Sequence, residues 1–185
     1  MKQILKYIFL LSISIFLLGF IAIYFLKKSI SHNLELKKSI VENSWRIFND
    51  KLNERDKVFS SLSLNNPDSL EYLINKSISQ RVNKDNSVEI VFNEYKLNEF
   101  IMRQNLSSNN SISTINNSLN NLKTKYTSAV QDYNIYISTF PNFIIAKREG
   151  YTKSKRFDFV YGQDNADPIK KSKELPEWAK NVDTN

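Results

Sequence analysis

The chain has 185 residues, no cysteine, one histidine, three glycines, four prolines and a formal net charge of +7. Without cysteine there is neither a disulfide nor a thiolate site, and a lone histidine cannot build a histidine-rich metal centre. Scarce glycine and proline favour long helices over a sheet with many tight turns, and 41% hydrophobic residues suffice for one core plus appendages.

The first element is an uncharged run over residues 7–26, opening on Tyr7 and ending at Leu26. Twenty residues of helix reach about 30 Å, the thickness of a bilayer core. A signal peptide is the rival reading. It has a shorter apolar region and a small-x-small cleavage site, whereas this run ends in Tyr24-Phe25-Leu26-Lys27-Lys28. The expectation is a retained membrane span, with the lipid bilayer as a partner. Lysines lie on both sides, at Lys2 and Lys6 before the run and at Lys27, Lys28, Lys37 and Lys38 after it. The positive-inside rule alone leans towards a cytoplasmic bulk.

Residues 31–62 carry a second helical pattern. Val41, Trp45, Phe48, Leu52, Arg55, Phe59 and Leu62 step by 4, 3, 4, 3, 4 and 3 and form one stripe. Arg55 interrupts the stripe. It is read as a snorkelling side chain at the bundle edge, with a buried ion pair to Glu or Asp as the alternative. Asp50, Glu54 and Asp56 alternate with Lys51, Arg55 and Lys57, the pattern of a solvated, salt-bridged face.

Asn65-Asn66-Pro67-Asp68-Ser69 is a turn whose last residues can cap the next helix. That helix carries Leu70, Leu73, Ile74, Ile78 and Val82. After the polar interruption 83–86, helix resumes with Val88, Val91, Phe92, Tyr95 and Met102. The β-branched run 88–92 has strand character, but no partner strand is evident and helix is preferred. Residues 105–110 form the next loop.

The last long helix has the clearest pattern. Ile115, Leu119, Leu122, Tyr126, Ala129, Tyr133, Tyr136 and Phe140 step alternately by 4 and 3 and define one buried stripe, the central packing seam. Phe140-Pro141 stops the helix, because proline lacks an N–H and disfavours helix just before itself. Phe140 is expected to be buried at the end of the seam, with Pro141 docking the chain beyond it. The apolar run 143–146 and Gly150-Tyr151 follow. Tyr126, Tyr133 and Tyr136 are read as core rings with hydrogen-bonded hydroxyls, Asn134 being a candidate partner. From Lys147 onward the pattern dissolves into a basic tail with too little apolar content to fold alone; Trp178 is its one candidate contact for a partner.

The stretch KYTSAVQDYNIYISTFPNFIIAKREGYTKSKRF resembles the C-terminal signature of the LemA family of bacterial envelope proteins, roughly R-x-Y-N-x-x-V-x-x-Y-N-x-x-I-x-x-F-P-x-x-x-x-A-x-x-x-G-F. The matching residues are Tyr126, Val130, Tyr133, Asn134, Ile137, Phe140, Pro141, Ala146 and Gly150. Lys125, Thr127 and Tyr151 depart from it. Trp45, Phe48, Leu52 and Arg55 also resemble the family's first helix, with Ser60 where proline is usual. The resemblance implies an N-terminal membrane anchor, a mainly helical bundle outside the inner membrane and no established enzymatic activity.

The expected fold is therefore all-α: a transmembrane helix followed by an antiparallel three- to four-helix bundle with long helices. Residues 1–30 form the anchor, 31–146 the LemA-like bundle and 147–185 a largely irregular polar tail. No phosphate-binding, dinucleotide-binding, zinc-protease or nucleophile-elbow motif occurs in the chain. His32 lies just past the lysines that leave the membrane, where a solvated ring is expected. No catalytic, cofactor or metal site is expected, and no basic stripe with interleaved aromatics suggests nucleic acid. The expected function is a non-enzymatic protein-interaction or scaffolding module at the bacterial cell envelope, with an unidentified protein partner and self-association left open. A small-ligand sensor domain outside the cytoplasm is the alternative.

Overall fold

The computed structural model describes residues 2–61, 67–82, 87–104, 110–156 and 159–165. They form five helices, α1 (Lys2–Ser60), α2 (Pro67–Val82), α3 (Ser87–Arg103), α4 (Asn110–Ser138) and α5 (Asn142–Arg148), with no strand among the described residues. The β-branched run 88–92 is thus helical. Leu62, Asn65-Asn66, residues 83–86 and 105–109, and Trp178 lie outside the described residues.

Helix α1 is unbroken for 59 residues. The apolar run and the amphipathic stripe are two stretches of one helix, because no proline falls between them and the only glycine is Gly19. The helix is long and apolar enough to cross a membrane, and its most apolar window buries none of its residues within the protein.

The chain divides into two compact units, one of Met1–Ser39 with Tyr133–Lys153 and one of Ile40–Asp132 with Ser154–Asn185. In the first unit Ile30 and Leu34 of α1 are buried, as are Tyr133 and Ile137 of α4 and Ala146 of α5. Lys37 Nζ lies 5.5 Å from the centre of the Tyr136 ring. Glu149 accepts a hydrogen bond from Ser31 Oγ at 2.8 Å and lies 4.0 Å from Lys27 Nζ. Helix α5 ends in a Schellman motif, whose left-handed residue favours glycine. Gly150 has φ +78, its N–H donates to Lys147 O, and the Tyr151 N–H donates to Ala146 O. The turn reverses the chain and accounts for the Ala146 to Gly150 spacing.

In the second unit Phe59, Leu70, Ile74, Leu97, Ile101 and Ile112 form one apolar cluster drawn from four helices. An aromatic cluster adjoins the α1 stripe. Trp45 lies 5.3 Å from Tyr126, and Phe48 lies 6.1 Å from Tyr161, between ring centres. Every described member of the expected α1 stripe is buried, including Val41, Leu52 and Arg55.

Three expectations need correction. On α4 the buried positions are Ile112, Ile115, Leu119, Tyr126, Val130, Tyr133 and Ile137, while Ala129 and Tyr136 are only half-buried. Leu122 is half-buried as well, and Val130 and Ile137 replace Ala129 and Tyr136 in the stripe, with Tyr133 common to both. Phe140 is not buried at all: α4 ends at Ser138, and Phe140 stands 74% exposed on the turn to α5. On α2 and α3, Ile78 is exposed, and Val91, Phe92, Tyr95 and Met102 are half-buried. The buried face centres on Leu70, Ile74, Ser77 and Arg81 on α2, and on Ile90, Glu94, Leu97 and Ile101 on α3, with Asn93 also buried. Each set steps by 4, 3, 4, but half of one and a quarter of the other is polar, which hides the helical period from a hydrophobicity reading.

Truncating a buried aromatic costs about 3–5 kcal/mol, which lowers the melting temperature of a protein this size by on the order of 10 °C. Tyr133→Ala should show that loss in thermal melts of the detergent-solubilised full chain. Phe140→Ala, at an exposed site, should stay within a degree or two of the parent. Equal losses from the two would contradict the burial pattern described above.

Candidate functional site

The second unit encloses four charges. Arg55 and Asp56 come from α1, Arg81 from α2 and Glu94 from α3, with Arg55 only 1% exposed and Glu94 fully buried. Each guanidinium meets both carboxylates. Arg55 Nη2 lies 2.6 Å from Asp56 Oδ1, and Arg55 Nη1 contacts Glu94 Oε2. Arg81 Nη1 lies 3.0 Å from Glu94 Oε1, and Arg81 Nη2 contacts Asp56 Oδ2. The charges alternate around a closed ring and sum to zero. Ser77 Oγ donates to Glu94 Oε1, and Arg81 Nη2 donates to Asn53 Oδ1 at 3.2 Å. The rings of Phe59 and Tyr161 lie 5.4 and 5.5 Å from the Arg55 guanidinium carbon. That is within cation–π range and keeps water off the group.

Burial by itself would raise the Glu94 carboxyl. The charges of Arg55 and Arg81 and the hydrogen bonds from Arg55 and Ser77 outweigh it and bring the group down to about 2. Burial would lower Arg55, yet Glu94 and Asp56 raise it above its ordinary value. The Tyr161 phenol is raised well above the usual range, first by burial and then by the neighbouring Glu94 charge. A carboxyl held at about 2 is a poor proton shuttle near neutral pH. The ring's chemistry is that of a fixed, desolvated junction between three helices.

Around this junction runs an irregular segment held by side chains. An irregular backbone cannot satisfy its own polar groups, so α3 and α4 supply the partners. Tyr126 Oη donates to Lys155 O at 3.0 Å, and burial pushes its phenol up to about 12. Asn120 Nδ2 donates to Tyr161 O at 3.1 Å, while its Oδ1 accepts from Tyr161 N at 2.9 Å. Asn98 Oδ1 accepts from Gly162 N at 2.9 Å, and its Nδ2 donates to Gln163 O at 2.8 Å. Gly162 has φ +74, and a Cβ there would come within 2.7 Å of Asn116 Nδ2, so glycine is required on both counts. In the first unit, Tyr133 Oη donates to Thr152 O at 2.9 Å in the same manner. The partners of these tyrosine hydroxyls are backbone carbonyls.

A cleft of about 10 Å³, lined by Arg55, Asn98, Asn116, Tyr161 and neighbouring apolar side chains, opens beside the ring. It has room for about one water molecule.

The residues singled out in the sequence separate into groups. Trp45, Tyr126 and Val130 are buried in the second unit, and Tyr133 and Ala146 in the first; Asn134 and Pro141 are half-buried, and Gly150 shapes the α5 turn. Arg55 is not a snorkelling edge residue but the buried member of an ion pair, the alternative reading. Asp56 does not belong to a solvated acidic face: it is buried between two arginines, whereas Asp50 and Glu54 are exposed beside Arg46 and Lys51. His32 is exposed on α1. Among the described residues no cluster of histidine, aspartate and glutamate has metal-binding geometry. The sequence reading missed Ser77, Arg81 and Glu94. Their one signal is the 4, 3, 4 step they share with apolar neighbours.

Residues 101–170 match the model of the LemA family, the family that the signature in this stretch resembles. The match contains the tyrosines of α4, the α5 turn and the irregular segment, whereas Arg55, Asp56, Arg81 and Glu94 lie outside it. No curated protein and no solved structure matches the chain.

The depressed Glu94 pKa fixes the sign of a pH effect. A carboxyl lowered from 4.5 to about 2 on folding stabilises the fold fully above about pH 4.5 and stops doing so as pH falls through about 2. Melting temperature should therefore drop across that window. Glu94→Gln leaves two buried guanidinium groups short of one charge and should cost about 3–5 kcal/mol at neutral pH. The variant should also lose less on acidification than the parent. An unchanged acid slope in Glu94→Gln would show that this carboxylate does not carry the effect.

Proposed function

We propose that the chain is a single-pass protein of the bacterial cell membrane, anchored through residues 7–26. Its helices form an antiparallel bundle that holds a protein partner at the envelope. The observation that carries this reading is helix α1. One unbroken helix runs from an uncharged stretch with none of its most apolar window buried into a stretch whose stripe forms the core. Lipid is the medium that covers such a surface without cost. Among the membrane topologies, the family resemblance favours a bundle outside the cytoplasm.

The bundle acts by binding rather than by catalysis. The four buried charges of Arg55, Asp56, Arg81 and Glu94 pair with one another, and the Tyr126 and Tyr133 hydroxyls are spent on backbone carbonyls. A ligand-sensing role needs a cavity of several hundred cubic ångströms. The described cleft has room for about one water and not for a ligand of that size.

Alkaline carbonate extraction should leave the full-length chain in the membrane pellet. Release of a fragment beginning near Ser29 would identify a cleaved leader and end the anchor reading. Cross-linking of the membrane-embedded chain should then capture the same protein repeatedly. Capture of nothing but the chain itself would replace scaffolding with self-association.

A further inference from the structure

The first unit exposes a compact apolar patch that its own core does not need. Phe140 is 74% exposed, Phe143 45% and Ile144 51%, and the two phenyl rings lie 6.3 Å apart. Phe140 sits on the turn from α4 into α5, and Phe143 and Ile144 sit in the first turn of α5. The same unit fixes the level of that turn along α1. On one side, Tyr136 lies against Lys37; on the other, Glu149 meets Lys27 and Ser31. The patch lies between those two tethers in sequence.

The α1 residues at the lower tether immediately follow the apolar run. Ser31 is about 8 Å beyond Leu26 at the helical rise, and each headgroup layer of a bilayer is about 5–8 Å thick. Tyr24 and Phe25 close the run and Lys27 and Lys28 follow, the aromatic-then-basic order found at a membrane–water interface. Exposed cations accompany the patch: Lys28 on α1, and Lys147 and Arg148 in the last turn of α5. Apolar side chains beside basic ones match an anionic headgroup layer over its acyl boundary.

We infer that Phe140, Phe143 and Ile144 form a second membrane contact, a wedge that enters the interfacial layer next to the point where α1 leaves the bilayer. Its occupant is the phospholipid of the membrane that α1 spans, so the inference rests on the anchor reading above. The contact fixes the tilt and rotation of the first unit on the membrane, which a single span leaves free. It also gives the exposed Phe140 a role that packing does not.

The absence of cysteine makes a direct test available. Phe143→Cys, Ile13→Cys and Ser39→Cys, each in the full chain, are labelled with an environment-sensitive fluorophore. The proteins are reconstituted into vesicles of mixed zwitterionic and anionic phospholipid bearing a nitroxide near the headgroup. Ser39 lies about 20 Å past Leu26 along the helix and serves as the aqueous reference. The wedge predicts lipid quenching at Phe143 several-fold stronger than at Ser39. Phe140→Cys, at the more exposed site, should repeat the result independently. Quenching at Ile13 but no more at Phe143 and Phe140 than at Ser39 overturns the wedge and leaves the anchor standing. A probe at Phe143 shielded from water yet untouched by the nitroxide means that a second copy covers the patch, which also overturns it. Absence of quenching at Ile13 removes the anchor reading and the wedge together.

Discussion

Four charges buried in one place are a demand on everything around them. Moving a single guanidinium or carboxylate out of water costs several kcal/mol even after relaxation, and only close, well-directed partners offset it. Here Arg55, Asp56, Arg81 and Glu94 answer one another. They come from three helices, so the ring closes only when α1, α2 and α3 share one axial register and one rotation. Slipping α3 by a single residue would turn Glu94 through about 100° and leave two arginines against a gap. A purely apolar face of Leu, Ile and Phe has no comparable penalty for sliding. The helices flanking the ring are short, 16 and 17 residues, and their apolar stripes are broken by polar positions. For such helices the ring is best understood as the device that selects one packing from several. The fit is close but incomplete: Arg81 Nε has no hydrogen-bond partner, a cost carried within the fold.

The irregular segment depends on the same logic in neutral form. Residues that leave the helical ladder expose N–H and C=O groups, and burying them without partners is costly. Asn98 and Asn120 each give an amide that donates and accepts at once, which copies the pairing of a neighbouring strand. Tyr126 offers a ring for the core and a hydroxyl for a carbonyl, a combination that phenylalanine cannot supply. The tyrosines of the family-like signature therefore read as clamps on the segment that follows α5.

Much of the α-helical plan was legible because apolar residues recur at helical steps. In α1 the stripe from Val41 to Phe59 is nearly continuous; Ile47 stands beside Phe48, but the residues that would extend its own stripe, Ser44 and Lys51, are polar. On α4 the competitors exist. Ala129 stands next to Val130 and Tyr136 next to Ile137, so two stripes one residue apart satisfy the same 4, 3 rhythm. The β-branched member, Val130 and Ile137, is buried each time. On α2 and α3 the buried face includes Ser77, Arg81, Asn93 and Glu94. A reading that weighs hydrophobicity discards those positions and settles on Ile78, Tyr95 or Met102 beside them. Whether a charge is solvated or paired depends on residues 25 to 39 positions away, which no local pattern contains. The burial of Tyr161 was hidden for the same reason, since its partners Phe48, Arg55 and Asn120 lie on helices earlier in the chain.

The uses to which buried polar groups are put also bear on what kind of work the protein performs. A catalytic site needs at least one titratable group held in the wrong protonation state for its surroundings, or a nucleophile beside an unspent base. In the ring each carboxylate faces two guanidinium groups, and Glu94 is driven towards the ionised form rather than towards neutrality. Burial drives Tyr126 away from ionisation, and its hydroxyl holds a carbonyl. These groups are committed to the fold. What is left over is surface, and its most unusual parts are apolar: the run that opens α1 and the Phe140, Phe143 and Ile144 turn. On the proposed anchor reading, a chain that invests its interior chemistry in rigidity and leaves its hydrophobic surface at one end presents itself from a membrane.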